Sequence, residues 1–434
     1  MRKEKVVAAI DVGTSKTVVM VGKLDEKGQV EVLASGKALS QGVVRGEVRN
    51  IEAVAKAIDE AVCNADIDDE IHEVYVNVSG RDFTIIDVQV EREFEEETSV
   101  TKADLFSMYR EAYAVKLQPD QRVYHVELQG FELDGEAFAD AKGMMASHLK
   151  ASYKVFVASK SFHRNIGLAV ASSCFKKGRV VLDSISTAES VLYSDEKEAG
   201  VMLLEVGAEL TKISLYVDGV LVYHDVLPYA GKVMTNDLKT ECAITQAQAE
   251  KLKISFGRAL TDKSYKNTYI SIPSYNGLEP REINKDMLAA ILQSRLEELA
   301  AMVKASGDES GYADRLRAGV VLVGGTAKLK NISTLLKFQF GLDVRLGLPR
   351  GVVSDIPVSR DPAFASTFGI LMHGLYETQE ELVEPIIEKR RKKKKESSAK
   401  KSNKLVTMIK EKWDVFEGKM EFFFSDDEGG EMKS

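Results

Sequence analysis

Apolar residues fill Val6-Val7-Ala8-Ala9-Ile10, break at Asp11, and return as Val18-Val19-Met20 after Gly13, Thr14, Ser15 and Lys16. Short apolar runs joined by turn residues predict a buried hairpin over Val6 to Gly22. The pattern recurs in the second half of the chain. Val201-Met202-Leu203-Leu204 leads to Glu205, Gly207 and Thr211, and then to Ile213-Ser214-Leu215-Tyr216. Strand, acid, apolar residue, glycine, turn, threonine, strand: one such unit opens each half, which predicts two related domains.

Between the hairpins the periodicity changes repeatedly. Val30 to Lys37 alternates like a third strand, Gly42 to Val48 reads as a loop, and Ile51, Val54, Ala55, Ile58, Ala61 and Val62 recur at helical spacing. A strand over Glu73 to Val78 follows. From Asp82 to Ala158 the chain reads as an inserted α+β subdomain with strands at Phe83 to Val90, Val123 to Phe131 and His148 to Val157. Its helix starts after Thr101, where Thr101 and Asp104 have capping-box spacing. Helices are predicted at Asn165 to Ser173 and Ser186 to Tyr193, flanking a strand at Arg179 to Ser184. Beyond the second hairpin come the strand Leu221 to Leu227 and helices at Met234 to Glu241, Ala247 to Phe256 and Asn284 to Ser306. Gly319 to Val323 then forms a buried strand entering Gly324-Gly325-Thr326, with helices at Asn331 to Phe340 and Ala363 to Tyr376.

With 434 residues and 44% hydrophobic content the chain can bury more than one core. Cys63, Cys174 and Cys242 are too scattered for a disulfide framework, which predicts a reducing compartment and buried or inert thiols. The N-terminal apolar run is broken by Asp11, so no signal peptide is expected. No apolar run approaches the roughly 20 residues of a spanning helix. A cytoplasmic protein, unless held at a membrane surface, is therefore expected. The net charge of -8 conceals a basic stretch, Lys389 to Lys419, with 13 Lys and Arg against 4 Asp and Glu. The acidic run Glu91 to Glu97 admits two readings, a solvated strand end or a protein-docking surface.

The hairpin turns carry the candidate chemistry. Gly13 lets backbone approach a polyanion, the hydroxyl and N–H groups of Thr14 and Ser15 are donors for phosphate oxygens, and Asp11 is suited to hold a metal-bound water. A hairpin with a Gly-Thr turn is also common as plain structure. Two such turns closing on one phosphate chain make the stronger case.

Asp11-Val12-Gly13-Thr14-Ser15-Lys16, Glu205 to Thr211 and Leu322-Val323-Gly324-Gly325-Thr326-Ala327 resemble the two phosphate motifs and the adenosine motif of the actin, sugar-kinase and heat-shock-chaperone superfamily. Within it, the chain over residues 5 to 376 is similar to the FtsA family of bacterial cell-division proteins. The matching features are Ser40-Gln41-Gly42-Val43-Val44-Arg45-Gly46, Val74 to Arg81, Pro228-Tyr229-Ala230-Gly231 with Thr235-Asn236-Asp237-Leu238, and Ala249-Glu250-Lys251-Leu252-Lys253. The resemblance implies an α/β, actin-like, ribonuclease-H-like duplicated fold with an inserted α+β subdomain and a C-terminal amphipathic helix. The first domain takes residues 1–81 and 159–197, the insertion 82–158, the second domain 198–232 and 307–378, and its lobe 233–306.

By the same resemblance ATP and Mg2+ are the cofactors. Asp11, Gly13, Thr14, Ser15, Lys16, Glu205, Gly207, Ala208, Gly324, Gly325 and Thr326 would line the nucleotide site, and Glu250 and Lys253 would reach ribose and adenine. The alternative for Glu250 and Lys253 is an exposed ion pair. Asp11 and Glu205 would hold the metal through water. Most relatives have Asp and further glycines in the second motif, where this chain has Glu205 and Ala208-Glu209-Leu210. A longer carboxylate and a second acid beside phosphate favour at most a weak ATPase, and no general base is assigned.

Residues 379–403 are Lys- and Ser-rich and cannot form a core, which predicts a flexible linker. In residues 404–424, Leu405, Ile409, Trp413, Phe416, Met420 and Phe423 recur on one helical stripe with charged residues opposite. Each buried anchor contributes up to about 1.5–3 kcal/mol, and each nearby Lys or Arg about 1 kcal/mol on an anionic membrane surface. Docking back on the protein or on a partner is the other reading; a nucleic-acid role is not expected, since the basic run lacks interleaved aromatics. The tail 425–434 is acidic. The family's partners are the FtsZ C-terminal peptide at the 233–306 lobe, further copies in a filament, and other division proteins at the insertion. Its place is the cytoplasmic face of the inner membrane at the division site. A small-molecule kinase on the same fold is the alternative, needing a catalytic acid and a substrate pocket. A chaperone would need a further domain after residue 376, and a rod-shape actin relative would lack the insertion and the tail.

Overall fold

Two apolar strands joined by a tight turn bury most backbone when placed mid-sheet, and the first hairpin lies there. The computed structural model describes residues 5–67, 70–261, 267–273, 279–353 and 360–376. Its strands Val7–Val12 and Lys16–Leu24 pair antiparallel, with Asp11 opposite Val18 and Val12 opposite Thr17. Val30–Leu39 extends this meander on one side, followed by the short Val352–Val353. On the other side Glu73–Val78 and then Arg179–Leu182 add in parallel. Parallel neighbours require a crossover, and the helix Ile51–Ala65 supplies the first. Asn50 caps it by accepting from the Ala53 N–H at 3.1 Å, and its face of Val54, Ala55, Ile58 and Ala61 is buried. Gly36 permits the close packing, since a Cβ there would lie 2.1 Å from the Ala61 carbonyl oxygen.

The second sheet repeats the order. Val220–Leu227, Thr211–Val217 and Val201–Val206 form an antiparallel meander, to which Val320–Val323 and Val344–Leu346 add in parallel. Glu205 stands opposite Lys212 and Val206 opposite Thr211. The duplication expected from the sequence is therefore real in three dimensions.

The insertion is a four-stranded antiparallel sheet in the order Thr84–Ser99, Met145–Ser159, Gln121–Leu133, Glu136–Phe138. Thr101 and Asp104 exchange the expected capping bonds, the Asp104 N–H donating to Thr101 Oγ1 at 3.3 Å and the Thr101 N–H to Asp104 Oδ2 at 2.9 Å. The first strand is longer than predicted and includes the acidic run, whose glutamates are exposed. After the second meander come the helices Gly231–Glu241, Gln246–Phe256 and Lys285–Glu309 with the hairpin Tyr269–Ile272 and Arg281–Asn284. Thr245 and Gln248 form a capping box, and the Asn284 side chain accepts from the Asp286 N–H at 2.8 Å.

Several boundaries differ from expectation. The helix placed at Asn165 to Ser173 is Lys160–Ala171, because Ser159 accepts from the Ser161 N–H and starts it early. The strand placed at Arg179 to Ser184 ends at Leu182, and Asp183–Val191 is already helix. The loop over Gly42 to Val48 contains the small hairpin Val43–Val44 with Glu47–Val48. Cys242 is buried, while Cys63 and Cys174 are exposed; burial and Asp59 push the Cys174 thiol up to about 11, which fits the expectation of buried or inert thiols for Cys242 and Cys174. The linker and the amphipathic stripe Leu405, Ile409, Trp413, Phe416, Met420 and Phe423 lie outside the described residues. No helix among the described residues is long and apolar enough to cross a membrane.

Candidate nucleotide site

Both hairpin turns close in the same way. The Gly13 N–H donates to the Lys16 carbonyl at 3.0 Å, and the Gly207 N–H to the Leu210 carbonyl at 2.9 Å. Thr17 and Thr211, four residues beyond each glycine, are both fully buried. In the first turn Asp11 is held by neutral groups: Asn77 Nδ2 donates to its Oδ1 at 3.0 Å and Thr367 Oγ1 to its Oδ2 at 3.1 Å. Asn77 in turn accepts from the Val12 N–H at 2.7 Å. Burial, and then the Asp183 carboxylate, push the Asp11 pKa above the usual range, against the pull of Lys16 and Lys212. Lys16 Nζ donates to the Ala363 carbonyl at 2.9 Å and lies 3.9 Å from the Phe364 ring centroid. Thr14 is half-buried and Ser15 exposed, so both turn hydroxyl residues lie at the rim.

The second turn is charged throughout. Lys212, only 7% exposed, donates from Nζ to Glu205 Oε1 at 3.1 Å and to Asp183 Oδ2. Burial opposes its charge, but Asp183 and Glu205 outweigh that and raise its pKa. Burial also raises the Glu205 pKa, with Lys212 pulling it back and Asp183 and Asp11 adding to it. Glu209 is bound by Lys232 Nζ and by the Arg45 N–H at 2.7 Å, so its charge has a partner away from the turn. Ala208 accepts from the Lys232 N–H at 2.7 Å.

The Gly324-Gly325-Thr326 turn lies against this second turn. Thr326 Oγ1 donates to the Gly207 carbonyl at 2.9 Å. Gly324 has φ +94° and a Cβ there would sit 2.5 Å from the Val206 oxygen, so the backbone itself demands glycine. Gly325 is different. It has an ordinary φ, and a Cβ on it would meet nothing within 4 Å. No protein contact requires glycine at this position, and its bareness keeps space open beside the turns, which fits a bound nucleotide. Lys253, 8% exposed, donates to the Gly231 carbonyl at 2.9 Å and Thr235 Oγ1 at 2.8 Å, and pairs with Glu250 at 2.9 Å. The ion pair of the alternative reading is present, with the Glu250 side chain 45% exposed and Lys253 buried beside Gly231.

Asn77, Asp183, Lys212 and Thr367 were not singled out in the sequence. Lys212 is the one charge in the strand Thr211–Val217, and Asn77 stands between valines in Glu73–Val78; Asp183 and Thr367 reach the site only through topology. The carboxylates expected to hold a metal through water, Asp11 and Glu205, already have partners. Among the described residues no group of three or more His, Cys, Asp or Glu side chains is arranged for a metal ion.

Family models match this chain as cell division protein FtsA over residues 202–369 and as the SHS2 domain inserted in FtsA over 80–157. The cell division protein FtsA of Pseudomonas aeruginosa is 33% identical over 384 residues, covering 87% of this chain and 91% of the relative. The chain belongs to the FtsA family of cell division proteins. FtsA of Escherichia coli K12 is 27% identical over 380 residues, covering 85% and 90%. Among solved structures, the PilM–PilN type IV pilus biogenesis complex matches with TM-score 0.61 at 14% identity, covering 86% of this chain and 99% of that one. MreB 5 of Spiroplasma citri bound to AMPPNP matches with TM-score 0.51 at 13% identity, covering 89% and 98%. These likenesses establish the actin-like fold of this FtsA-family chain, and the SHS2 match identifies its insertion.

Proposed function

We propose that this FtsA-family protein binds ATP between its two hairpin turns, polymerises as an actin-like filament, and tethers the FtsZ ring to the cytoplasmic membrane. The bare Gly325 beside the Gly207 turn is the observation that carries the nucleotide reading. In this reading the turns of Gly13-Thr14-Ser15-Lys16 and Gly207-Ala208 receive the phosphates, and Glu250 and Lys253 the adenosine side. Asp11 and Glu205 are the residues that a metal's water shell would use, and both are already engaged. Turnover is weak at most, since Asp183 and Glu205 are tied to Lys212 rather than set to activate water. The amphipathic stripe from Leu405 to Phe423 supplies the tether, the lobe over 233–306 receives the FtsZ C-terminal peptide, and the insertion contacts other division proteins.

Calorimetric titration of the full chain with ATP tests the central part. Saturable binding is expected, weakened by about tenfold or more in Gly325→Val with unchanged thermal unfolding. Equal binding by the variant would remove Gly325 from the site. Removing Leu405 to Ser434 should release the protein from anionic liposomes in co-sedimentation, and continued binding would contradict the tether.

A further inference from the structure

Three carboxylates lie behind the turns: Asp183 raises the pKa of Asp11, and Asp183 and Asp11 both raise that of Glu205. A divalent cation beside a nucleotide bonds through its water shell to carboxylates and offsets the phosphates' charge, yet these three are not arranged as a metal-holding group. Here four of the six carboxylate oxygens already accept a hydrogen bond. Asp11 accepts from Asn77 and Thr367 on its two oxygens. Asp183 Oδ2 and Glu205 Oε1 accept from one buried ammonium, Lys212 Nζ.

Lys212 reaches this place by register. It is the cross-strand partner of Glu205, directly opposite it in the hairpin, and directly opposed side chains in a ladder lie close enough to interact. Asp183 approaches from the other sheet, as the first residue of the helix Asp183–Val191 and 3% exposed. The ammonium is thus pinned from both halves of the molecule. A divalent ion at the same carboxylates would have to displace it or sit beside it, and like charges at that separation repel.

We infer that Lys212 is the resident cation of the nucleotide cleft and takes the place of the divalent metal, so that this protein binds ATP without needing Mg2+. The inference rests on the nucleotide reading above. It assigns Lys212 a role that Mg2+ would otherwise have, and makes Asp183 and Glu205 the groups that position it.

The test is ATP binding by the full-length protein, measured calorimetrically in excess Mg2+ and again in EDTA. The wild-type dissociation constants should agree within about threefold. The charge-balanced double variant Asp183→Asn with Lys212→Met removes one charge of each sign, so that it folds where Lys212→Met alone would leave buried acids unpaired. It frees Glu205, and its binding should become about tenfold or more weaker in EDTA than in Mg2+. Wild-type binding lost in EDTA would overturn the inference while leaving the nucleotide site intact. A double variant as indifferent to Mg2+ as the wild type would also overturn it, by showing that Lys212 is not what makes the metal dispensable. No binding in either buffer would overturn the nucleotide reading and this inference with it.

Discussion

The two hairpins have one backbone and two chemistries. Each places an acid before a glycine turn, closes that turn with a glycine N–H on a carbonyl three residues on, and buries a threonine at the start of the return strand. At the position facing the acid, the first hairpin has Val18 and the second Lys212. The consequence runs through the site. Asp11, facing a valine, is held by the neutral donors of Asn77 and Thr367, whereas Glu205, facing a lysine, is held by a full charge shared with Asp183. The fold fixes where an acid stands; the single residue across the ladder decides whether neutral donors or an internal cation hold it.

The largest effect is expected at Lys212. Lys212→Met leaves Asp183 and Glu205 buried without a counter-charge, and should cost about 3–5 kcal/mol in chemical denaturation. A loss below about 1 kcal/mol would mean that the second hairpin tolerates an unpartnered acid as a surface would. The second effect concerns pH. His224, on the second meander, accepts or donates at 3.0 Å with Ser214, and its pKa is lowered to about 4, mainly by burial, with Asp183 and Lys212 acting in opposite senses. Below about pH 6.5 the unfolded chain takes up a proton that the folded chain refuses until about pH 4. Stability should therefore fall over that window as pH drops, by about 3 kcal/mol. His224→Asn should flatten that part of the pH dependence; an unchanged slope would place its origin elsewhere. The smallest effect belongs to the first hairpin. Asn77→Ala strips a donor from Asp11 and an acceptor from the Val12 N–H, at a cost of about 2 kcal/mol by the same denaturation measurement. A cost equal to that of Lys212→Met would erase the distinction between a neutral and a charged support.

Much of this was legible in the sequence because it is local. The acid, glycine and threonine of each hairpin lie within a single turn, so their spacing alone pairs the halves, and the Gly324-Gly325 turn is marked by the apolar strand before it. The supports were not legible, because each comes from a distant element. Thr367 lies on the helix Ala365–Tyr376, Asp183 follows a strand of the other sheet, and Asn77 belongs to the strand beside Asp11. Lys212 was visible as the one charge in its strand, but its meaning depends on the cross-strand register. The helix starts at Lys160 and Asp183 escape apolar periodicity for a related reason: Ser159 caps the first, and no side chain caps the second.

In the proposed reading the two turns form a nucleotide cleft whose cation is Lys212. Its most direct test is a crystal structure of the full chain grown with ATP and Mn2+, using anomalous scattering to locate the metal. The account predicts nucleotide across both turns beside Gly325, Lys212 still bound to Asp183 and Glu205, and no manganese peak within about 4 Å of Asp11 or Glu205, the reach of one coordinated water. A manganese peak at that distance from both carboxylates, with the Lys212 ammonium displaced, would contradict it.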